Sequence, residues 1–269
     1  MLHPDASTRQ TLEQRIDALA PGMEIYKPEG RGPFPVVIQL HGCGGKKALQ
    51  GRWAAQAREA GWAAVVVDSY RHRKISNLEA YSMVCTGLKL WGKERAGDAY
   101  AALEWARRQS WADPQCMALA GWSHGGWTAL DALAMHPGKE MEAATGLTGF
   151  PKEPLAGVVG AFLVYPFAGP GSVARMKGLR VDVSPVAIVG THDMIVGGRS
   201  LARTLENMST PGAPIDVHLF EGATHAFDEI EARDMRVTYD PDVTANSQDI
   251  YREYLTGLRT GVPNVRAAG

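Results

Sequence analysis

Short apolar runs alternate with amphipathic stretches along most of the chain, the pattern of a parallel sheet covered by helices. Runs rich in valine, isoleucine and alanine predict strands that are buried on both faces. The predicted strands cover residues 23–27, 36–40, 63–67, 116–120, 158–165, 186–190 and 215–220. The predicted helices cover residues 8–20, 53–60, 94–109, 128–135, 198–208 and 247–258.

This alternation predicts an α/β fold with a doubly wound, mostly parallel sheet and helices on both faces. We expect residues 1–269 to form a single domain, with 1–22 as an N-terminal helical extension. A polar excursion at 69–93 is interpreted as a lid or substrate loop. Ligands bind beyond the carboxyl ends of the strands in such sheets, so the loops that follow the strands should share one rim.

The strand at 116–120 leads directly into Gly121-Trp122-Ser123-His124-Gly125 and then into a predicted helix. Glycines on both sides of the serine allow a sharp strand-to-helix turn that exposes the serine hydroxyl. The alternative is a glycine-rich turn in which Ser123 only caps the helix. The chain contains 30 glycines, so a base and an acid elsewhere must decide between the two interpretations.

Two further rim positions supply that base and that acid. Asp193 follows the strand at 186–190, and His225 follows the strand at 215–220. A serine hydroxyl becomes nucleophilic when an imidazole takes its proton and a carboxylate orients the imidazole. The order Ser123, Asp193, His225 is that of α/β-hydrolase triads, so the sequence predicts these three as catalytic residues.

Other residues compete for the same roles. His192 adjoins Asp193, but neighbours in an extended chain point to opposite sides, so both can hardly face Ser123. His218 lies within a predicted strand, as a packed or surface histidine. The carboxylates that compete with Asp193 are Asp182, Asp228 and the less well placed Asp216.

The loop after the strand at 36–40 reads His41-Gly42-Cys43-Gly44-Gly45. Glycines leave backbone N–H groups unshielded, so this loop is the expected source of a second oxyanion donor. We predict the backbone N–H groups of Cys43 and His124 as the oxyanion pair, and the alternative is a flexible glycine turn. Nothing nearby marks the Cys43 thiol as a nucleophile.

Composition excludes several functional classes. Apolar residues make up 45% and charged residues 21% of the chain, and its net charge is −1. No basic stripe marks a nucleic-acid or membrane partner, and no run is apolar enough to span a bilayer. The N-terminus lacks a signal-peptide core, which predicts a cytoplasmic protein. Three scattered cysteines predict reduced thiols rather than disulfides or a zinc site, and no metal is expected.

With these motifs, the chain resembles the dienelactone hydrolase family of α/β-hydrolases. The resemblance spans about residues 33–258, and its most specific parts are Gly-Trp-Ser-His-Gly-Gly and Ala-Thr-His-Ala-Phe. It implies the α/β-hydrolase fold and hydrolysis of a carboxylic ester or lactone (EC 3.1.1 type), without metal or organic cofactor. The dienelactone hydrolases proper use a cysteine where this chain has Ser123, which favours a general serine carboxylesterase over dienelactone as substrate.

The candidates for substrate recognition lie in the polar excursion at 69–93. Arg73 matches the family's Asp-Ser-aromatic-x-x-Arg pattern, and with Tyr70 it is the candidate for binding a substrate carboxylate. The alternative is that both belong to an ordinary solvated loop. The Gly/Pro-rich segments 137–154 and 167–184 are expected to shape or cover the pocket.

Competing functions remain at this point. An acyltransferase or a peptidase would use the same triad, and a non-catalytic binding protein would keep the fold without turnover. The expected partner is a small-molecule ester or lactone, with no nucleic acid and no membrane, and the expected assembly is a monomer or a homodimer.

Overall fold

The computed structural model describes residues 9–232 and 234–260, and within them a seven-stranded sheet forms the centre. The strands are β1 Gln10–Thr11, β2 Glu24–Tyr26, β3 Phe34–Leu40, β4 Ala63–Val67, β5 Ala112–Trp122, β6 Leu147–Thr148, β7 Val158–Val164, β8 Val186–Gly190 and β9 Asp216–Phe220. The strand order in the large sheet is β2-β4-β3-β5-β7-β8-β9, while β1 and β6 form a separate parallel pair.

Only β2 runs antiparallel to its neighbour in the large sheet. The prediction of a doubly wound, mostly parallel sheet is therefore confirmed. The order also places the ends of β3, β5, β8 and β9 on a common rim, because parallel strands present their carboxyl ends at the same edge. These ends carry the loops that contain the predicted catalytic and oxyanion residues, which are Cys43, Ser123, Asp193 and His225.

Helices cover both faces of the sheet. They are α1 Leu12–Leu19, α2 Ala48–Glu59, α3 Asn77–Glu79, α4 Gly92–Arg107, α5 His124–Ala134, α6 Lys139–Thr145, α7 Val173–Lys177, α8 Gly198–Met208 and α9 Pro241–Thr260. Alternate residues of β3 enter different cores: Val36 and Ile38 pack on the side of α4 and α5, whereas Val37 packs on the side of α2 and α9. A strand with both faces buried needs apolar residues at nearly every position, which explains its continuous run.

Helix α1 packs into the core although it lies near the N-terminus. Leu12, Ile16 and Leu19 share one face at helical spacing and are buried with residues of α4. Thr11 caps the helix through a reciprocal capping box with Gln14, so the helix begins later than predicted. The predicted start at Thr8, and residues 1–8 of the expected extension, lie outside the described residues.

Segment 137–154 was expected at the pocket, but much of it packs elsewhere. It contains α6 and β6, and β6 pairs with β1 rather than joining the large sheet. Gly97 of α4 lies so close that a Cβ atom there would meet Leu147 at 2.8 Å. The two-residue strands β1 and β6 are too short to give a periodic signal, so the sequence did not reveal this packing.

Segment 69–93 folds back over the loop that follows β3. It contains α3 and a π-helical turn at Ala80–Val84. Its buried apolar side chains form a small separate core, made of Tyr70, Ile75, Ala80, Val84 and Leu90. Several of its other apolar side chains face solvent, including Leu78 and Leu88.

The expectation of reduced thiols was wrong for two of the three cysteines. Cys43 and Cys85, which are 42 positions apart, form a disulfide. The backfolding of segment 69–93 brings their Cα atoms to 5.1 Å, a proximity that scattered spacing in the sequence does not show. Cys116 is free, and burial raises the pKa of its thiol to about 11.

None of the helices within residues 9–232 and 234–260 combines the length and the apolar character needed to cross a membrane.

Candidate active site

Ser123 stands between β5 and α5 in a backbone conformation that serine rarely adopts. Its φ is 53° and its ψ is −112°, which holds the side chain at the tip of a tight turn. A Cβ atom at Gly121 would lie 2.3 Å from the carbonyl oxygen of Gly125, and one at Gly125 would lie 1.9 Å from that of Leu40. The close approach of three backbone segments therefore requires both glycines of the motif.

The structure brings the side chains of Ser123, His225 and Asp193 together. His225 Nε2 lies 3.0 Å from Ser123 Oγ, and His225 Nδ1 lies 2.7 Å from Asp193 Oδ2. Because the carboxylate accepts a hydrogen bond from Nδ1, Nε2 of the neutral ring is free to accept the serine proton. The chain of hydrogen bonds thus runs from hydroxyl to imidazole to carboxylate.

The Asp193 carboxylate is held in place by its own loop. Its Oδ1 accepts hydrogen bonds from the backbone N–H groups of Ile195 and Val196, at 2.9 and 3.0 Å. Burial of a carboxylate is tolerated when its oxygens are satisfied in this way. The neighbouring His192 is exposed, as expected for adjacent residues that point to opposite sides.

The other competitors for the acid and base roles lie away from Ser123. His218 is 3.1 Å from Asp216 on the strand at the sheet edge, and Asp182 is exposed. Asp228 is fully buried but accepts hydrogen bonds from Trp53, Trp122 and Tyr165 instead of from His225.

Asp228 supports the site through residues that adjoin Ser123 and His225. Desolvation by burial raises the pKa of its carboxyl group, and three donors hold it on the floor of the rim. One of these donors, Tyr165, packs its ring against His225 with centroids 4.6 Å apart. Another, Trp122, precedes Ser123 in the chain. From the sequence, Asp228 is only a competitor of Asp193 for the role of the acid, and no local motif indicates that it contacts Tyr165.

The loop after β3 lies against the nucleophile. A Cβ atom at Gly42 would lie 3.6 Å from Ser123 Cβ. His41 Nε2 accepts from the backbone N–H of Ser69 at 3.3 Å, so its Nδ1 carries the proton and donates to Gly42 O at 2.7 Å. Burial and the nearby Arg95 hold the pKa of His41 well below its usual value, which keeps the ring neutral in this arrangement.

The direction of the Cys43 N–H follows from that contact. The carbonyl of Gly42 and the N–H of Cys43 belong to one planar, trans peptide and point in opposite directions. Because His41 holds the carbonyl, the Cys43 N–H points away from the His41 ring. The Cys43 carbonyl is held in turn by the hydroxyl of Tyr70 at 2.8 Å.

The side chain of His124, which follows the nucleophile, is buried within the protein. Its Nε2 donates to the carbonyl of Leu90 at 2.8 Å. Burial, reinforced by Arg95, lowers the pKa of its imidazole to about 3, so the ring is neutral near pH 7. Its backbone N–H is the first of α5, where the helix leaves N–H groups without an intrahelical partner.

The structure places the two substrate-binding candidates in supporting contacts. Arg73 forms a two-pronged ion pair with Asp98, at 2.6 and 2.9 Å, and also donates to the carbonyl of Ser69. Its side chain is 16% exposed. Tyr70 is buried, with its hydroxyl on Cys43. Both contacts differ from the expectation that these side chains meet a substrate carboxylate.

A cluster of aromatic side chains joins helix α5 to the segment that begins at Phe167. Phe167 begins segment 167–184, and its backbone N–H donates to the carbonyl of Ser123 at 3.1 Å. Its ring lies 4.7 Å from that of Trp127, which lies 6.2 Å from that of Trp91. Phe167 and Trp91 are partly exposed, so this aromatic cluster offers apolar surface to solvent.

No group of three or more histidine, cysteine or acidic side chains that could hold a metal ion occurs in the part of the chain that the structure describes.

Comparison with known proteins identifies the family of this chain. The sequence model of the dienelactone hydrolase family matches residues 23–256, a range that contains Ser123, Asp193 and His225. The chain belongs to the dienelactone hydrolase family. Members of this family are hydrolases, and the seven-stranded sheet with flanking helices is the α/β-hydrolase fold. No curated protein matches the sequence.

Solved structures share this fold at low sequence identity. A dienelactone hydrolase-like promiscuous phosphotriesterase from metagenomic libraries is 18% identical, has a TM-score of 0.65, and aligns over 88% of this chain and 92% of its own. The dienelactone hydrolase of Anabaena variabilis is 18% identical, with a TM-score of 0.59 over 86% and 89%. Esterase 2 of Thermogutta terrifontis, solved with butyrate bound, is 18% identical, with a TM-score of 0.56 over 91% of both chains.

Proposed function

We propose that this member of the dienelactone hydrolase family is a serine carboxylic ester hydrolase that forms an acyl-enzyme on Ser123. The observation that carries the proposal is the hydrogen-bonded series Ser123–His225–Asp193 at the strand-to-helix turn. Within a hydrolase family, this arrangement supports nucleophilic catalysis by the serine hydroxyl.

In the acylation half, Ser123 Oγ attacks the ester carbonyl carbon while its proton passes to His225 Nε2. The carbonyl oxygen becomes an oxyanion, and Asp193 stabilises the imidazolium that forms. Collapse of the tetrahedral intermediate breaks the bond to the leaving oxygen, which takes the proton from His225 Nε2. The alcohol leaves, and the acyl group remains on Ser123.

In the deacylation half, a water molecule gives a proton to His225 Nε2 as its oxygen attacks the acyl carbon. A second tetrahedral intermediate collapses, the bond to Ser123 Oγ breaks, and Oγ recovers the proton from His225. The carboxylic acid leaves and the serine is restored. These steps need only the three side chains, water and donors for the oxyanion.

We assign those donors to the backbone N–H groups of Cys43 and His124. The position of Gly42 against Ser123 Cβ supports the first assignment, because the Cys43 amide follows Gly42 directly in the loop. The N-terminus of α5 supplies the second, where partial positive charge favours a developing anion. Donors preorganised in this way stabilise charge that exists only in the transition state and the intermediates.

The proposed substrate is an ester with an uncharged, apolar acyl group. Arg73 is engaged by Asp98 and Ser69, which removes the strongest argument for an acidic substrate. Phe167 and Trp91 offer apolar surface instead. The related Thermogutta terrifontis esterase 2 was solved with butyrate bound, which supports short acyl chains as the first to try.

A cytoplasmic location remains a prediction from the sequence. The disulfide between Cys43 and Cys85 weighs against it, because disulfides persist mainly in oxidising compartments.

The test is labelling by a fluorophosphonate probe, followed by mapping of the labelled peptide. We expect fast labelling at Ser123 and hydrolysis of p-nitrophenyl butyrate in preference to the p-nitrophenyl ester of a dicarboxylic half-acid. No labelling of the folded protein would favour the non-catalytic binding protein instead. Product analysis with added alcohol distinguishes an acyltransferase, which would yield a new ester in place of free acid.

A further inference from the structure

Arg95, in the first turns of α4, is a fully buried cation behind the candidate oxyanion donors. Its relative exposure is 0%. Its Nη1 donates to the carbonyl oxygen of His41 at 2.7 Å and to His124 Nδ1 at 3.1 Å. Its Nε donates to Ser69 Oγ at 2.9 Å. One guanidinium group therefore contacts both sides of the site.

This arginine lacks the partner that buried arginines usually have. Asp98 lies nearby, but its two oxygens pair with Arg73 and Arg15. Within residues 9–232 and 234–260, no carboxylate forms an ion pair with Arg95, and its Nη2 has no hydrogen-bond partner. A buried charge without a counterion costs free energy, so packing alone is a poor explanation for it.

The contacts of Arg95 converge on the peptide groups that matter for an oxyanion. The His41 carbonyl immediately precedes the Gly42–Cys43 peptide, and its hydrogen bond to Arg95 fixes the start of that loop. On the other side, Arg95 occupies Nδ1 of His124 and thereby sets the tautomer in which Nε2 donates to Leu90. The orientation of the His124 side chain at the start of α5 is fixed as a result.

Tyr70 contacts both Arg95 and the loop after β3. Its ring centroid lies 6.0 Å from Arg95 Cζ, and its hydroxyl donates to the carbonyl of Cys43. Consecutive carbonyls of the loop, those of His41, Gly42 and Cys43, are consequently all held by side chains. A loop rich in glycine is flexible on its own, so its shape at Cys43 depends on these contacts.

We propose that Arg95 is a positioning residue for the oxyanion hole, which aligns the Cys43 and His124 amides and places a buried positive charge behind them. The inference rests on the proposed function, because it assigns Arg95 a role in the reaction at Ser123. The charge and the aligned amides act on the oxyanion and hardly at all on the neutral ester. Their loss should therefore lower kcat and leave KM nearly unchanged.

The expected size follows from what oxyanion donors contribute. Deleting a donor outright costs about 100- to 1000-fold in kcat, and misaligning the amides should cost less, about 10- to 100-fold. R95M removes the charge and all three hydrogen bonds. R95K keeps the charge but cannot make all three, so we expect its kcat between those of R95M and the wild type.

The matched control is Arg107, at the other end of α4. It is also largely buried, and it also holds backbone carbonyls, those of Pro154 and Ala156 at 2.8 and 2.6 Å. R107M should lower the melting temperature as R95M does, because both variants leave backbone carbonyl oxygens without their side-chain donor. Its kcat for p-nitrophenyl butyrate should stay within about twofold of wild type, since the Pro154 and Ala156 carbonyls that it holds belong to neither the loop after β3 nor the start of α5.

The experiment measures kcat and KM for p-nitrophenyl butyrate, together with inhibition by an alkyl trifluoromethyl ketone. Such a ketone forms a tetrahedral adduct with serine, so its affinity reports on the oxyanion hole. For R95M we expect kcat and ketone affinity to fall by the same factor, about 10- to 100-fold, with KM changed by less than about twofold. In R107M neither should fall.

A folded R95M with wild-type kcat and ketone affinity would overturn the proposal. An increase in KM with kcat unchanged would overturn it as well. If R95M does not fold, R95K decides in the same way, and unchanged kcat and ketone affinity in R95K overturn the proposal. S123A separates this inference from the function on which it rests. Turnover that survives in S123A contradicts the proposed function, whereas an inactive S123A beside an unaffected R95M contradicts only the role of Arg95.

Discussion

Cys85 is covalently bonded to Cys43, so segment 69–93 is fixed to the loop that lies beside Ser123. The same loop receives a second contact from this segment, through the Tyr70 hydroxyl on the Cys43 carbonyl. Segment 69–93 is therefore part of the support of the candidate site, and it holds in place a residue whose amide we assign to the oxyanion.

Breaking this disulfide should impair both stability and turnover. The bond closes a loop of 42 positions, so we expect Cys85→Ser to lower the free energy of unfolding by about 2–4 kcal/mol. A displaced Cys43 amide should reduce kcat by about 10-fold or more, since misplacement by 1 Å can cost still more. Denaturant titration and kinetics with p-nitrophenyl butyrate measure the two effects.

Reductant should reproduce both changes in the wild-type protein and add nothing in Cys85→Ser. Cys116→Ser is the matched control, because Cys116 is free and half-buried in β5. Full activity and stability in Cys85→Ser would show that the loop keeps its shape without the bond.

The carboxylate of Asp193 should be needed for rapid turnover. Asp193→Asn keeps the size of the side chain but replaces the acceptor that fixes the His225 tautomer. We expect kcat to fall by about 1000- to 10,000-fold with the fold retained, as such a substitution does in other serine triads. Steady-state kinetics and circular dichroism measure this.

The exposed neighbour His192 provides the comparison for that experiment. His192→Ala should retain kcat within about twofold, because its side chain is exposed and loss of an exposed side chain usually has a small effect. An active Asp193→Asn would mean that another carboxylate supports His225.

The glycines around Ser123 should tolerate substitution very unequally. A Cβ atom at Gly125 would lie 1.9 Å from the carbonyl oxygen of Leu40, whereas one at Gly42 would make ordinary contacts at 3.5 and 3.6 Å. Gly125→Ala should therefore cost at least about 3 kcal/mol of stability, because β3 and α5 cannot separate without disrupting the core. Gly42→Ala should remain folded. Thermal denaturation of the pair tests this, and equal melting temperatures would contradict it.

Asp131 in α5 should make the folded protein less stable as the pH rises. Desolvation raises the pKa of its carboxyl group from 3.8 to about 6, so the folded protein holds this proton more tightly than the unfolded chain does. The resulting stabilisation is present below about pH 4 and is lost as pH rises through about 6, a change of about 2–3 kcal/mol.

Asp131→Asn cannot titrate and should remove this part of the pH dependence. The amide oxygen can still accept from Ser172 and Ala174, as the carboxylate does. We expect the unfolding free energy of Asp131→Asn to increase relative to that of the wild type by about 2–3 kcal/mol between pH 4 and pH 7. Urea denaturation at a series of pH values measures this difference. A constant difference across this range would show that Asp131 titrates normally in the folded protein.

The parts of the fold that the sequence predicts are those encoded by local pattern. Buried parallel strands need continuous apolar runs, so β4 and β8 are found with their observed ends at Ala63–Val67 and Val186–Gly190. The turn at Ser123 is likewise local, because its glycines lie within two positions of the serine. Strand order then brings Asp193 and His225 to the same rim.

The parts that the sequence does not reveal depend on contacts between distant segments. The pairing of Cys43 with Cys85 follows from the backfolding of segment 69–93, and the pairing of β1 with β6 follows from the packing of α1. The engagement of Arg73 by Asp98 is of the same kind. An arginine three positions after an aromatic residue has the same local pattern whether it binds a substrate or a buried aspartate.

The most direct test of the central claim is the turnover of p-nitrophenyl butyrate by Ser123→Ala, with folding checked by thermal denaturation. The substitution removes only the hydroxyl that lies 3.0 Å from His225 Nε2. We predict a folded protein whose kcat falls by about 10⁴-fold or more, because no acyl-enzyme can form. A folded Ser123→Ala protein that hydrolyses the ester at the wild-type rate would contradict the account.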